Sequence, residues 1–254
     1  MQVSLITCTN NSDKTIHDCC MSIFSQTYLN LEHIIIDNNS YDNTLDILNK
    51  SQINNQKIFQ QKSKGIYGAL NEGMKISSGN VVGILHSDDE LIDKEIIKII
   101  VQKFLEHNLD ILFSNVIYTK KNDSNKILRK WTSNLKEGIQ SNNELNKKIE
   151  NGWMPPHTSI FFKKDLLKTV GFYDENLKIS SDYEFIIRLF KQRNLKIFFL
   201  NKFSVKMKSG GMSNRNLKNI VIKMTEDFMI MKKYKFNAFK NILIKNFSKI
   251  KQFF

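Results

Sequence analysis

The 254-residue chain has few of the residues that punctuate or staple a fold. It contains two prolines, adjacent at Pro155 and Pro156, so the loop they stiffen is singular. Its three cysteines, Cys8, Cys19 and Cys20, form an odd set without metal-ligand spacing, which argues against a disulfide framework or a zinc site. They read as reduced and structural. No stretch approaches the ~18 to 20 continuous apolar residues of a membrane span, and the N-terminus lacks a charged region followed by an apolar one. The expectation is a protein made and kept in the cytosol. Glycine-rich phosphate loops of the GxGxxG or Walker type are absent, so neither a dinucleotide fold nor a P-loop enzyme is supported.

Acidic residues are also scarce, at 25 against 38 Lys and Arg, for a formal net charge of +13. From Asn214 onward ten basic residues face only Glu226 and Asp227, so this segment carries +8 and the rest of the chain +5. A basic tail on a mildly basic domain fits a membrane surface or nucleic acid, and a nucleic-acid binder, for which no motif is present, is the less favoured alternative. With 41% hydrophobic residues the chain can bury one large core, and the expected division is a domain over 1–213 with an appendage over 214–254.

What the chain does contain is a succession of short apolar runs that stop in polar or acidic residues. The most informative is VVGILHSDDELID, an apparent buried strand over 81–86 that ends in the adjacent carboxylates Asp88 and Asp89. Ser87 and Glu90 also have capping-box spacing, so a helix start is the competing reading. Strands are expected over 3–8, 32–37, 57–60 and 81–86, with helices over 13–24, up to 50, over 66–77 and up to 107. Further strands are expected over 110–118, 126–131 and 158–162, a polar, mostly helical segment up to 150, and a helix over 181–192. Alternation at these lengths indicates βαβ units around a parallel sheet. Thr9, Asp37, the loop over 62–65 and Asp88 then fall at one sheet edge, where open α/β sheets bind ligands.

Five separated motifs, VSLITCTN, EHIIIDNNSYDNT, GIYGALNEGMKISSGNVVGILHSDDEL, HTSIFF with GFYDENLKISSDYEFIIRL, and SGGMS, together resemble the inverting family 2 glycosyltransferases of bacterial cell-surface polysaccharide synthesis. The resemblance covers about residues 1–213 in order and implies a GT-A fold, a Rossmann-like, mostly parallel α/β sheet flanked by helices, with a C-terminal helical extension. It departs from the family in three places. His86 stands where the DxD metal motif commonly begins with Asp, Ser63 and Gly68 stand where many relatives carry acids, and the Glu-Asp pair of the catalytic helix is Ser181-Asp182.

The resemblance implies a nucleotide-sugar donor, UDP-linked first, and a glycan or lipid-linked acceptor at the inner face of the cell membrane. Thr7, Thr9 and Asp37 would hold base and ribose, a carboxylate being an acceptor-only group suited to N–H and hydroxyl donors. For Asp37 the alternative is an Asx turn into the next helix. Lys64, Gly65, Asn71, His86 and Ser87 would line the donor site, and Asp88 would bind Mg²⁺ or Mn²⁺ on the diphosphate. Asp182 is expected as general base, left available because Glu184 pairs with Ser181 in a capping box. Trp153 and His157, either side of Pro155 and Pro156, would shape the acceptor side. A catalytically inactive binding module is the alternative that His86, Ser63 and Gly68 suggest.

In the tail, Phe236, Phe239, Leu243, Phe247, Ile250 and Phe254 recur every three or four residues, which on a helix gives one apolar face. With Lys240 and Lys251 beside that stripe and no acid over 236–254, the expectation is an interfacial helix on an anionic membrane, with packing on the protein's own core as the alternative.

Overall fold

The computed structural model describes residues 1–51, 55–120, 123–210 and 217–237. Alternating β-branched runs and amphipathic segments build the first part of the chain: β1 (Val3–Thr9), α1 (Ile16–Phe24), β2 (Leu31–Asp37), α2 (Thr44–Lys50), β3 (Gln56–Gln60), α3 (Gly65–Ile76) and β4 (Val81–Ile84). All four strands run parallel, with Thr9 beside Asp37, Asp37 beside Gln60 and Ile6 beside Ile84. Their carboxyl ends therefore share one edge, as the alternation requires.

The remainder is β5 (Glu90–Leu91), α4 (Ile96–His107), β6 (Ile111–Lys120), β7 (Asp123–Trp131), β8 (Gly138–Gln140), α5 (Asn142–Glu150), β9 (Phe161–Lys163), α6 (Leu167–Val170), α7 (Ser181–Phe190), β10 (Ile197–Lys208) and α8 (Leu217–Lys233). The sheet order is β3-β2-β1-β4-β9-β6-β10-β5, with β7 on β6 and β8 on β10. β9 enters antiparallel between β4 and β6, while β6 and β10 are parallel to each other. The expected α/β sheet is present, and antiparallel strands extend its second half.

Both faces are covered. On one, α3 and α7 seal Leu70, Met74, Phe185, Ile186 and Phe190 against Ile6, Val82 and Phe113. On the other, α4 buries Ile96, Ile97, Ile100, Val101 and Phe104 at helical spacing, and stops at Asn108, whose φ of 47° closes the helix. Complete burial of side chains such as Phe104 and Ile100 contributes roughly 2 to 3 kcal/mol each.

Several expectations need correction. No helix starts at Ser87; the chain turns through Ser87 and Asp88, closed by Asp89 N on His86 O at 3.0 Å, into β5, and α4 begins at Ile96. The strand expected over 158–162 opens instead as a 3-10 turn at His157–Ser159, because Ser159 Oγ lies 2.9 Å from Ser114 O and 2.8 Å from Pro156 O and curls the chain before β9. β10 was not anticipated at all. Its apolar start, Ile197 to Leu200, is followed by Asn201 and Lys202, and the strand continues across register shifts around Phe203 into a Lys-alternating half. That interruption hides the longest strand of the sheet from a periodicity reading.

The segment expected as an appendage contributes α8 to the main core, where Ile230 and Met231 are buried. α8 ends at Lys233, and Phe236, first of the proposed apolar stripe, packs on that core with its N–H 2.8 Å from Met231 O. Phe239, Leu243, Phe247, Ile250 and Phe254 lie outside the described residues, as do Gly211 to Ser213 of the SGGMS motif.

Candidate active site

Three side chains from opposite halves of the fold converge at the carboxyl edge. β4 delivers His86 and Asp88 just beyond its last residue, and the first turn of α7 delivers Asp182. Burial pushes the His86 imidazole below its usual value, against the opposing pull of both Asp88 and Asp182. Burial thus favours the uncharged ring, which stands within electrostatic reach of both carboxylates. Beside it, the His157 ring lies with its centroid 5.9 Å from that of His86. His157 Nε2 is 2.5 Å from the Tyr173 hydroxyl, and burial followed by the neighbouring His86 lowers its pKa to about 3. The Tyr67 ring, 5.5 Å from Tyr173, completes this aromatic floor.

Asp182 is positioned from three directions. Its Oδ1 accepts from Tyr183 N at 2.8 Å, and the Tyr67 hydroxyl oxygen lies 3.5 Å from it. The same hydroxyl donates to Ile179 O at 2.6 Å, tying α3 to the approach of α7. From the far side, the buried Glu226 carboxylate of α8 accepts from the N–H groups of Lys178, Ile179 and Ser180 at 2.7, 2.9 and 2.9 Å. The expected capping box is absent. Ser180 is the N-cap, and Glu184 is engaged with Arg188, Lys233 and Tyr234 at 2.8, 2.9 and 2.6 Å, so it ties α7 to α8.

The remaining expected donor-site residues divide by burial. Thr7 is fully buried, donating to Leu85 O at 2.8 Å with His33 Nε2 2.9 Å away, so it buttresses the strand ends from within. Asn71 is also buried and grips the loop after α6: its amide oxygen accepts from Tyr173 N at 2.9 Å, and its nitrogen donates to Tyr173 O and Glu175 Oε1 at 3.0 and 2.8 Å. Both side chains thus spend hydrogen bonds on the groups around them. Thr9 Oγ1 is buried without a hydrogen-bond partner. Asp37 accepts from Ser40 N and Oγ at 3.0 and 2.6 Å, which is the local turn, and it also lines a cavity of about 450 Å³ with Asn39, Ser40 and Ile58.

Lys64 is exposed, and Gly65 next to it has φ +73°, a backbone conformation that favours glycine. Ser87 Oγ lies 3.0 Å from Ser12 Oγ, bridging the β1 and β4 loops. Trp153 packs edge-on against Phe113 at 5.8 Å, half-buried on the α7 side of the sheet. Sequence reasoning missed Tyr67, Tyr173 and Glu226. The two tyrosines sit inside quoted motifs, whereas the signal for Glu226 is its rarity as an acid in a basic segment.

The donor set suits a hard divalent cation that brings further ligands of its own. Asp88 offers a half-exposed carboxylate with the His86 imidazole beside it, and among the described residues no three His, Cys, Asp or Glu side chains form a cage of their own. Asp89 is not part of that set: it is buried, and burial followed by the neighbouring Asp88 raises its pKa well above the carboxylate range.

The parallel β1–β4 half, its antiparallel closure through β9, and carboxylates brought from both halves to one edge define a GT-A glycosyltransferase architecture. The profile described as Glycosyl transferase family 2 matches residues 4–171, and the chain belongs to that family, as an inverting glycosyltransferase. Over 223 residues it is 26% identical to a PGL/p-HBAD biosynthesis glycosyltransferase of Mycobacterium tuberculosis, covering 83% of this chain and 78% of the relative. Over 97 residues it is 40% identical to the Escherichia coli UDP-Glc:alpha-D-GlcNAc-diphosphoundecaprenol beta-1,3-glucosyltransferase WfaP, covering 37% of this chain and 38% of that one. Among solved structures, a fragment of S. aureus TarS in complex with UDP-GlcNAc superposes with a TM-score of 0.71 at 22% identity, over 89% of this chain and 65% of that chain. The chain therefore spans less than two thirds of the TarS fragment it resembles. Among the described residues no helix is long and apolar enough to cross a membrane.

Proposed function

We propose that the chain transfers a glycosyl unit, with inversion, from a UDP-sugar to a lipid-linked glycan in cell-surface polysaccharide synthesis. The observation that carries this reading is the convergence of two carboxylates on His86, Asp88 from the end of β4 and Asp182 from the first turn of α7. Inversion by direct displacement needs a leaving-group stabiliser on one face of the sugar and a base on the other. Asp88 from β4 and Asp182 from α7 suit those two roles.

Asp88 would hold a Mg²⁺ or Mn²⁺, which when bound neutralises charge on the departing nucleoside diphosphate. Asp37 and Ser87 would border base and ribose with the buried Thr9 Oγ1 behind them, and Lys64 and Gly65 would border the phosphate side. Asp182 takes the proton of the attacking hydroxyl, and the bonds that clamp residues 178–180 hold its helix in place for that transfer. Trp153 and His157 form the acceptor wall. WfaP acts on a diphosphoundecaprenol-linked sugar, which supports a lipid-linked acceptor, and the basic, acid-free 236–254 segment suits a peripheral position on an anionic membrane.

The test is a panel of UDP-sugars with Mn²⁺ or Mg²⁺. Asp88→Ala should abolish metal-dependent UDP binding. Asp182→Asn should keep donor affinity and lower turnover by ~10² to 10⁴. Full turnover in Asp182→Asn would remove it as the base, and absence of UDP binding by the wild type would overturn the whole reading.

A further inference from the structure

The ribbon of β6 and β7 carries features that donor binding does not use. Tyr118 pairs with Arg129 across it, and Val116 with Trp131, so by strand alternation Tyr118, Arg129 and Trp131 share one face. The Arg129 guanidinium lies 3.8 Å from the Tyr118 ring centroid, and the Trp131 ring is parallel to Tyr118 within 14° at 6.4 Å. The ribbon is also close to the site. Met207 of β10 pairs with Tyr118, while Lys206 pairs with Glu90, which makes Asp89 the next residue along that ladder. Two strand steps place Tyr118 about 10 Å from the Asp89 backbone, with β10 between them.

The outer part of β7 is amphiphilic. Ile127 and Leu128 are 50% and 42% exposed on an edge strand, with Lys126 and Lys130 exposed around them. Edge strands are commonly blunted by charge, so adjacent exposed aliphatic residues among cations call for an occupant. The chemistry that satisfies both parts is an anion joined to a hydrocarbon. Guanidinium supplies a rigid fork of N–H donors matched to phosphate oxygens, and the aromatic face beneath it fixes the plane of that fork.

Resting on the glycosyltransferase reading above, we propose that Arg129, over Tyr118 and beside Trp131, is the subsite for the diphosphate of a prenyl-diphosphate-linked acceptor, with Ile127 and Leu128 meeting the first isoprene units. An acceptor bound this way carries its sugar inward to Asp182 and leaves its lipid directed outward along the ribbon.

The test is calorimetric titration of the full chain in EDTA, which removes metal-held diphosphate from the donor site, using farnesyl diphosphate and inorganic pyrophosphate as probes. Arg129→Gln should weaken both by about tenfold or more. Arg129→Lys keeps the charge without the fork and should fall between wild type and Arg129→Gln, a gradation that loss of folding would not produce. Ile127→Ser with Leu128→Ser should weaken farnesyl diphosphate and leave pyrophosphate unchanged, separating a lipid-borne diphosphate from a free one. Wild-type affinity for both probes in Arg129→Gln overturns the subsite, and equal loss of both probes in the double serine variant overturns the prenyl part. A parallel UDP titration with Mn²⁺ should give the same affinity in every variant; failure of the wild type in that titration strikes the glycosyltransferase reading instead.

Discussion

Gly68 and Ser63, where many relatives carry acids, are matched to each other. A Cβ at Gly68 would stand 2.4 Å from Ser63 Oγ and 2.7 Å from Ser63 Cβ, with Glu175 Oε2 at 3.4 Å. The space that an acidic side chain on α3 would need is thus filled by Ser63 and bordered by a carboxylate from the loop before α7, held there by Asn71. Gly68→Ala should therefore cost ~1 to 3 kcal/mol through overpacking, and adding Ser63→Gly should restore most of it. Urea denaturation midpoints of the single and double variants decide the matter; equal loss in both would show that Ser63 is not the obstacle.

At the level of elements, the helix bearing Asp182 is held by a helix from the basic tail. Glu226 closes three N–H groups ahead of α7, and Glu184 reaches back to Lys233 and Tyr234. Glu226→Ala leaves the buried Ser180 N–H and the part-buried Lys178 and Ile179 N–H groups without their acceptor and should lower stability by about 3 kcal/mol. Glu226→Gln keeps one acceptor oxygen and should fold, with kcat lowered and KM for the UDP-sugar unchanged, as steady-state kinetics would show. A raised donor KM with normal kcat would argue that α8 supports donor binding instead.

This coupling also explains what was and was not legible beforehand. Asp88 at a strand end and Asp182 at a helix start announce themselves through neighbours within a few residues. Glu226 acts across 46 to 48 residues of chain, and no local pattern encodes such a partner. β10 escaped notice for a related reason: its second half alternates Lys with Val and Met, and it is a strand because β6 and β5 lie on either side of it.

The molecule as a whole should be labile to acid, in two successive windows set by neighbours on β2. Burial lowers the His33 pKa from 6.5 to about 4, so below pH 6.5 the unfolded chain binds a proton that the folded chain does not, and stability falls until about pH 4. Burial alone would raise the Glu32 carboxyl, but hydrogen bonds from Lys57, Ser4 and Ser78 outweigh it and bring it to about 2, so its stabilisation is full above pH 4.5 and lost as pH falls toward 2. Each contributes up to ~3 kcal/mol. Urea midpoints at pH 7, 5 and 3 should fall throughout for wild type. His33→Gln should flatten the interval from 7 to 5 and Glu32→Gln that from 5 to 3, and unchanged slopes would mean that other groups control acid unfolding.

The position of β10 has a consequence in time as well as in space. It pairs with β6 over nine positions, from Ile111 to Thr119, yet lies some ninety residues later in the chain. During synthesis at ~5 to 20 residues per second, that separation is an interval of roughly 4 to 18 s. The β1–β4 units can dock on their own helices as they emerge from the ribosome. Through that interval, however, β6 presents an open apolar edge, a template for mispairing that only the arrival of residue 208 removes. A nascent chain stalled between the two strands is therefore the species that a chaperone would be expected to hold.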